Sequence, residues 1–182
     1  RELEREYFKS TTHELRFLHN YNLGKYQQTF AGGVRFAYSH LVRQAGAQGT
    51  TGTNFDLTKL SNWEVNLTFK TINVSLFAEN IFRVKNFTIT PGLRYEFLST
   101  SANGYSGNDA EDSDEPFVLV NHQKRNRNII LGGLGMQYDI NNKHSMYANF
   151  NRSFRPVTYS DLTPFGTIAK INPKLKDADG YN

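Results

Sequence analysis

The densest group of side chains that could bind a ligand is the stretch 121–128, which combines basic residues with amides. Guanidinium groups grip carboxylates with two parallel hydrogen bonds, so an anion-binding rim is one hypothesis for this stretch. The other hypothesis is that its charges pair with the acidic run that precedes it. The basic members are His122, Lys124, Arg125 and Arg127.

The acidic run within 109–115 could hold a cation, but its spacing does not fit an EF-hand, because no glycine occupies the sixth position. A solvated loop tip is the simplest interpretation. Loose calcium binding, or repulsion of anions until the loop moves, stays open. The run consists of Asp109, Glu111, Asp112, Asp114 and Glu115.

Other chemistries lack the residues that they need. The chain has no cysteine, which excludes disulfides, zinc–thiolate sites and thiol nucleophiles. No histidine has the spacing of a metal site, and no Ser-His-Asp arrangement is present. The glycine-rich segment 131–135 lacks the helix and the spacing of a nucleotide-binding fingerprint. We therefore predict no enzymatic activity and no cofactor. The net charge of +4 comes from scattered residues and predicts no nucleic-acid partner.

The segments that must position these residues alternate between apolar and polar side chains, as two-faced β-strands do. Several of them are much longer than the ~5 to 6 residues usual in globular sheets. No run approaches the ~18 to 20 apolar residues of a membrane helix. In the clearest strand, Phe87, Ile89, Pro91, Leu93, Tyr95 and Phe97 alternate with Thr88, Thr90, Gly92, Arg94 and Glu96.

Short and long connections alternate between these strands. Tight turns at one end of a sheet and long loops at the other are typical of outer-membrane β-barrels. The pattern predicts an all-β fold, an antiparallel meander of about six long strands that forms an arc of a transmembrane barrel. An antiparallel sandwich or a lipocalin-type barrel is the soluble alternative. The short turns are 22–25, 83–86 and 141–144, and the long loops are 44–62, 99–126 and 156–182.

Six strands are too few to close a bacterial barrel, which starts at about 8 strands. We therefore expect residues 1–182 to be part of a longer chain. On the polar side of the predicted wall, Arg35, Arg94 and Glu96 could bind a solute, or pair with one another or with whatever fills the barrel.

Four stretches resemble TonB-dependent outer-membrane receptors, in the order in which that family has them. The last of the four has Asp177 and Ala178 where the family usually has Pro-Glu. Within the family, the pattern is most similar to the ferric dicitrate receptor branch. The stretches are SLFAENIFRV (75–84), NFTITPGLRYE (86–96), MYANFNRSFRPVTYSDL (146–162) and INPKLKDADGYN (171–182).

The resemblance implies a barrel of about 22 strands in the bacterial outer membrane, plugged by an N-terminal domain that contacts the TonB complex. Residues 1–182 would then be a partial barrel, with the plug domain and the remaining strands absent. The function implied is TonB-dependent uptake of a ferric chelate, such as iron dicitrate or another siderophore. A soluble or surface β-barrel binding module and a non-transporting outer-membrane barrel are the alternatives. For an anionic ferric chelate, the candidate ligand-binding residues are Gln123, Arg125, Arg127, Arg155 and Tyr159.

Overall fold

The computed structural model describes residues 2–53, 55–107, 118–158 and 175–182. They form one antiparallel sheet in which each strand pairs with the next strand along the chain. This arrangement confirms the predicted meander, with a short seventh strand beside the six long ones. No helix in the described ranges is long and apolar enough to cross a membrane. The strands are β1 (Glu2–Leu23), β2 (Tyr26–Gln48), β3 (Val65–Val84), β4 (Phe87–Ser106), β5 (Val118–Asn141), β6 (His144–Arg155) and β7 (Ala178–Tyr181).

Three tight turns join β1 to β2, β3 to β4 and β5 to β6, at the predicted positions. The first turn contains Gly24 with φ +62°, a conformation that glycine adopts without steric cost. In the second turn Lys85 takes a positive φ of 53°. In the third, the side-chain oxygen of Asn141 accepts a hydrogen bond of 2.9 Å from the Lys143 amide, which closes an Asx-turn. In an antiparallel meander all three turns lie at the same end of the sheet.

The connections at the opposite end are shorter than the sequence predicts. β2 continues to Gln48, β4 continues to Ser106 and β5 begins at Val118, so much of the predicted loop 99–126 is strand. The extra strand length is stabilised by side-chain packing at this end: Leu67, Phe69 and Ala102 form a buried cluster. As a consequence, the stretch 121–128 lies on β5 and not in a loop.

The register of the strands separates two faces, which we call the apolar face and the polar face. Leu15 lies opposite Val34, Val34 opposite Leu76, Leu76 opposite Tyr95, and Tyr95 opposite Ile130. Facing residues of neighbouring strands point to the same side, so these five form one row on the apolar face. Large side chains such as Leu15 (71% exposed) and Leu93 (61% exposed) stand uncovered on this face.

Buried apolar residues are concentrated near the long connections instead of in a central core. Leu67, Phe69 and Ala102 are buried on the polar face there, and Leu41 and Val65 pack against them. A second buried group consists of Leu3, Ala47 and Trp63, so the connection between β2 and β3 folds back onto the sheet.

Candidate functional site

Alternation along β5 divides the stretch 121–128 between the two faces of the sheet, because successive side chains of a strand point to opposite sides. Gln123, Arg125 and Arg127 lie on the polar face. Lys124 lies on the apolar face, opposite Ser101. The basic cluster that the sequence predicts is therefore two groups separated by the wall of the sheet.

On the polar face, Arg127 is the centre of a hydrogen-bonded cluster with Asp177, Thr100 and Val157. Its Nε donates to the two carboxylate oxygens of Asp177 at 3.0 and 2.9 Å. Its Nη1 donates to Thr100 Oγ1 at 3.4 Å, and its Nη2 donates to the carbonyl oxygen of Val157 at 2.6 Å. Arg127 is only 7% exposed. We call this group the Arg127 cluster; it joins β4 and β5 to the chain that follows β6 and the chain that precedes β7.

Asp177 carries the negative charge of the Arg127 cluster. Burial by itself would raise the pKa of its carboxyl group. Hydrogen bonds from Arg127 and from the Val157 amide, which donates at 2.8 Å, together with the charges of Arg127 and Arg125, outweigh burial and lower this pKa. Asp177 is therefore ionised at neutral pH and balances the buried guanidinium.

The other predicted ligand-binding residues are less enclosed. Arg125 is 45% exposed at its side chain, and its Nη2 lies 3.7 Å from Asp177 Oδ2, so the structure brings Arg125 and Arg127 together on one carboxylate. Gln123 is exposed on the same face, and Arg155 is exposed at the end of β6. Tyr159, the side chain of His122 and the acidic run within 109–115 lie outside the described residues.

Charged residues in the middle of the polar face pair with one another, as one of the sequence interpretations expected. Arg94 Nη2 donates to Ser75 Oγ at 3.1 Å, and Ser75 donates to Asn73 at 3.0 Å. Asn73 donates to Glu96 at 3.3 Å. Arg94 Nε lies 2.6 Å from Glu96, an ion pair that closes the ring although the N–H is not aimed at the carboxylate. Arg35 Nε is buried and has no hydrogen-bond partner among the described residues.

The cavity nearest the Arg127 cluster is small. A cavity of about 120 Å³ lies beside Thr158, between that residue and Leu41, Phe69 and Thr100. Ligand sites usually have about 300 to 1,000 Å³, so this cavity is too small for a metal chelate. Within the described ranges, no three His, Cys, Asp or Glu side chains come close enough to hold a metal ion. The candidate site is therefore an open surface around Gln123, Arg125 and the Arg127 cluster.

Three members of the Arg127 cluster were missed by reasoning from the sequence. The sequence around Thr100 and Val157 does not indicate a contact with Arg127, because Thr100 contributes a hydroxyl group and Val157 a backbone carbonyl. At Asp177 the sequence does give an indication, since this acidic residue stands where the related family usually has proline. The partner of Arg127 lies 50 residues away, a distance over which spacing alone predicts no contact.

A long-stranded antiparallel meander with one apolar face, tight turns at one end and longer connections at the other is a segment of a β-barrel wall. The family model described as "TonB dependent receptor-like, beta-barrel" matches residues 2–182. The chain belongs to this family. Its members are outer-membrane β-barrel proteins of Gram-negative bacteria and are transporters, not enzymes.

Solved structures agree with this fold at low sequence identity. The unliganded ferric citrate transporter FecA is 20% identical with a TM-score of 0.71, over 88% of this chain and 22% of that one. The ferric-catecholate import receptor Fiu from E. coli K12 is 12% identical with a TM-score of 0.68, over 96% and 28%. The copper transporter OprC is 14% identical with a TM-score of 0.59, over 86% and 24%. The chain therefore spans about a quarter of each of these proteins. No curated protein sequence matches it.

Proposed function

We propose that this chain is part of the barrel wall of an outer-membrane receptor that takes up a ferric chelate, such as iron dicitrate or another siderophore, with energy from TonB. The observation that carries the proposal is the family match over residues 2–182. Structural likeness to a ferric citrate transporter and to a ferric-catecholate import receptor supports iron chelates as the solute class.

The chain covers only 22 to 28% of these solved structures, which supports its being one part of a larger barrel. In this proposal the remaining strands and the plug domain lie elsewhere in the protein, and the TonB complex contacts the plug region. The apolar face contacts outer-membrane lipid and the polar face lines the lumen.

Ligand contact falls to the polar face near the long connections, with Gln123, Arg125, Arg127 and Arg155 as the proposed residues there. Tyr159, which lies outside the described residues, stays a proposed residue from the sequence. The exposed guanidinium of Arg125 suits direct contact with an anionic chelate. Arg127 contributes by holding the neighbouring segments of the chain in place, since its guanidinium already donates to Asp177, Thr100 and Val157.

Uptake of radiolabelled iron tests the proposal. A strain that lacks the chromosomal receptor gene should lose uptake of its ferric chelate, and a plasmid copy should restore it only when TonB is present. Ferric citrate, a ferric catecholate and copper ions serve as parallel solutes. Restored uptake in a strain without TonB would contradict TonB dependence, and restored uptake of copper alone would contradict the iron chelate.

A further inference from the structure

One carboxylate serves both arginines of the candidate site, and it holds them unequally. Asp177 accepts from Arg127 Nε with both of its oxygens, at 3.0 and 2.9 Å. Arg125 Nη2 is 3.7 Å from Asp177 Oδ2, which is an ion-pair distance and too long for a hydrogen bond. Arg127 is therefore fixed by Asp177, whereas Arg125 is attracted by the same charge without donating an N–H group to it.

Exposure separates the two arginines in the same way. The Arg127 side chain is 6% exposed, and its guanidinium also donates to Thr100 and to the Val157 carbonyl. The Arg125 side chain is 45% exposed, so an anion that approaches the polar face can reach its guanidinium. The Asp177 side chain, at 19% exposure, lies beside the place that such an anion would take. Of the two arginines, Arg125 is therefore the one that a ligand can share with Asp177.

The charge of this group favours anions less than its arginines alone would. Two guanidiniums and one carboxylate leave a net charge of +1. Burial would raise the pKa of Asp177, but hydrogen bonds from Arg127 and Val157 outweigh burial and lower this pKa, so the carboxylate is ionised at neutral pH. A ligand carboxylate that binds Arg125 must therefore come close to a carboxylate of the protein. The repulsion between them rises with each negative charge that the ligand carries.

We infer that Asp177 determines the ligand charge that this site accepts, by competing with the ligand's carboxylate for Arg125. The inference rests on the proposed function, since it concerns the anion for which Arg125 is a proposed contact. It narrows the solute class to chelates that present little negative charge to this part of the wall. A chelate that presents several charged groups here is repelled by Asp177, although two arginines are present.

The substitution that isolates this effect is Asp177→Asn, which keeps the size of the side chain and removes its charge. An asparagine oxygen can still accept from the Val157 amide and from Arg127 Nε, which Asp177 Oδ1 accepts at 2.8 and 3.0 Å. Asp177→Pro is a second neutral variant, because the related family usually has proline at this position. The matched control is Glu6→Gln, which removes one negative charge from the polar face on β1, about 20 Å away across the sheet.

The test measures the affinity of the full-length receptor in neutral detergent for free citrate and for ferric dicitrate, by isothermal titration at low salt. Asp177→Asn should raise both affinities about tenfold, the size expected when a like charge about 6 Å from the ligand is removed in a partly solvated site. The gain should shrink at high salt. Glu6→Gln should leave both affinities unchanged. A neutral ferric hydroxamate should bind Asp177→Asn and the unaltered receptor equally, because it meets no charge repulsion.

A second measurement separates competition for Arg125 from a general effect of charge. In the Arg125→Ala background, Asp177→Asn should raise citrate affinity much less, since no guanidinium is left for the ligand to take over. Equal gains with and without Arg125, or a gain of the same size in Glu6→Gln or for the neutral hydroxamate, would overturn the inference. So would unchanged, lower or undetectable citrate affinity in both neutral variants, because Asp177 would then only fasten the chain on either side of it.

The same variants distinguish this inference from the transport proposal. A receptor that takes up ferric citrate, but whose Asp177→Asn variant gains no citrate affinity, would overturn the inference and leave the transport proposal intact. A gain in citrate affinity in a receptor that takes up no iron chelate would support the inference and contradict the transport proposal.

Discussion

Arg127 and Asp177 form a largely buried ion pair that fastens the chain on both sides of the 158–175 region to the polar face of the sheet. The Arg127 side chain is 6% exposed and that of Asp177 is 19% exposed. The same carboxylate accepts the Val157 amide, so one aspartate holds both segments. A buried charge left without its partner is strongly destabilising, whereas the intact pair is close to neutral. The pair therefore fixes the position of these segments more than it adds to overall stability.

Removing the carboxylate should destabilise the receptor measurably. Asp177→Ala leaves the Arg127 guanidinium buried and unpaired, at a cost of about 3 kcal/mol in the free energy of unfolding. Glu14→Ala is the matched control, because Glu14 pairs with Arg16 on the polar face, where the Arg16 side chain is 77% exposed and ion pairs contribute at most about 1 kcal/mol. Denaturant unfolding of the full-length receptor in detergent measures both changes. Equal effects of the two substitutions would show that Arg127 finds other partners.

The contribution of Asp177 should depend on pH. Its pKa in the folded protein is below the ordinary value of 3.8, so the unfolded chain binds the proton more tightly. Stabilisation by the ionised carboxylate is therefore complete above the unfolded pKa and is lost as the pH falls through the folded pKa. The stability difference between the unaltered receptor and Asp177→Asn should be constant from neutral pH to about pH 5 and should shrink in more acidic buffer. A difference that grows on acidification would contradict the assigned direction.

Most of the fold could be predicted from local patterns. The alternation of apolar and polar residues determines which side chains share a face, and Gly24 and Asn141 mark tight turns by their own conformational preferences. The prediction failed at the long connections, where Ala102 falls in the predicted loop 99–126 but lies on a strand and packs against Leu67 and Phe69. There, packing between side chains from different strands extends the sheet, and the pattern of a single strand does not report such packing.

The candidate site could be predicted only in part, for a reason of geometry. The stretch 121–128 was identified by composition, but its assignment to a loop concealed the alternation that puts Lys124 and Arg125 on opposite faces. Because successive side chains of a strand point to opposite faces, the charges of this stretch are divided between the two faces of the sheet. The contact between Arg127 and Asp177 depends on where the chain returns after β6, which no local spacing encodes.

The assignment of faces can be tested at two neighbouring residues. Leu93 lies near the middle of the apolar side chains of β4 and is 61% exposed, whereas Arg94 bonds Ser75 and Glu96 on the polar face. Leu93→Arg in the full-length receptor should cost about 2 to 4 kcal/mol, because it puts a charge near the bilayer midplane, and Leu93→Thr should cost less. Refolding into lipid vesicles with denaturant titration measures these costs. If Arg94→Leu is far more damaging than Leu93→Arg, the facing is inverted and a lipocalin-like interior is favoured.

The sign of the ligand charge can be tested at the polar face of β5. Arg125→Ala/Arg127→Ala in the full-length receptor should bind ferric citrate at least about tenfold more weakly at low salt, because it removes the positive charge that faces an anionic chelate. The single variants separate two roles. Arg125→Ala should lower affinity in a salt-dependent manner, since its guanidinium is 45% exposed and screened by ions. Arg127→Ala should instead lower the melting temperature, because it abolishes the contacts with Asp177 and Val157.

Titration of each receptor with ferric citrate, followed by intrinsic fluorescence at low and high salt, measures these affinities. Lys124→Ala is the matched control, since it removes a neighbouring charge from β5 on the opposite face of the sheet. An anion bound on the lumen side should be insensitive to Lys124 and sensitive to Arg125, although the two residues are adjacent in sequence. Unchanged affinity of the double variant would mean that these arginines only balance Asp177 and the acidic residues of the chain. Equal losses from Lys124→Ala and Arg125→Ala would point to a general effect of net charge and not to a site on the polar face.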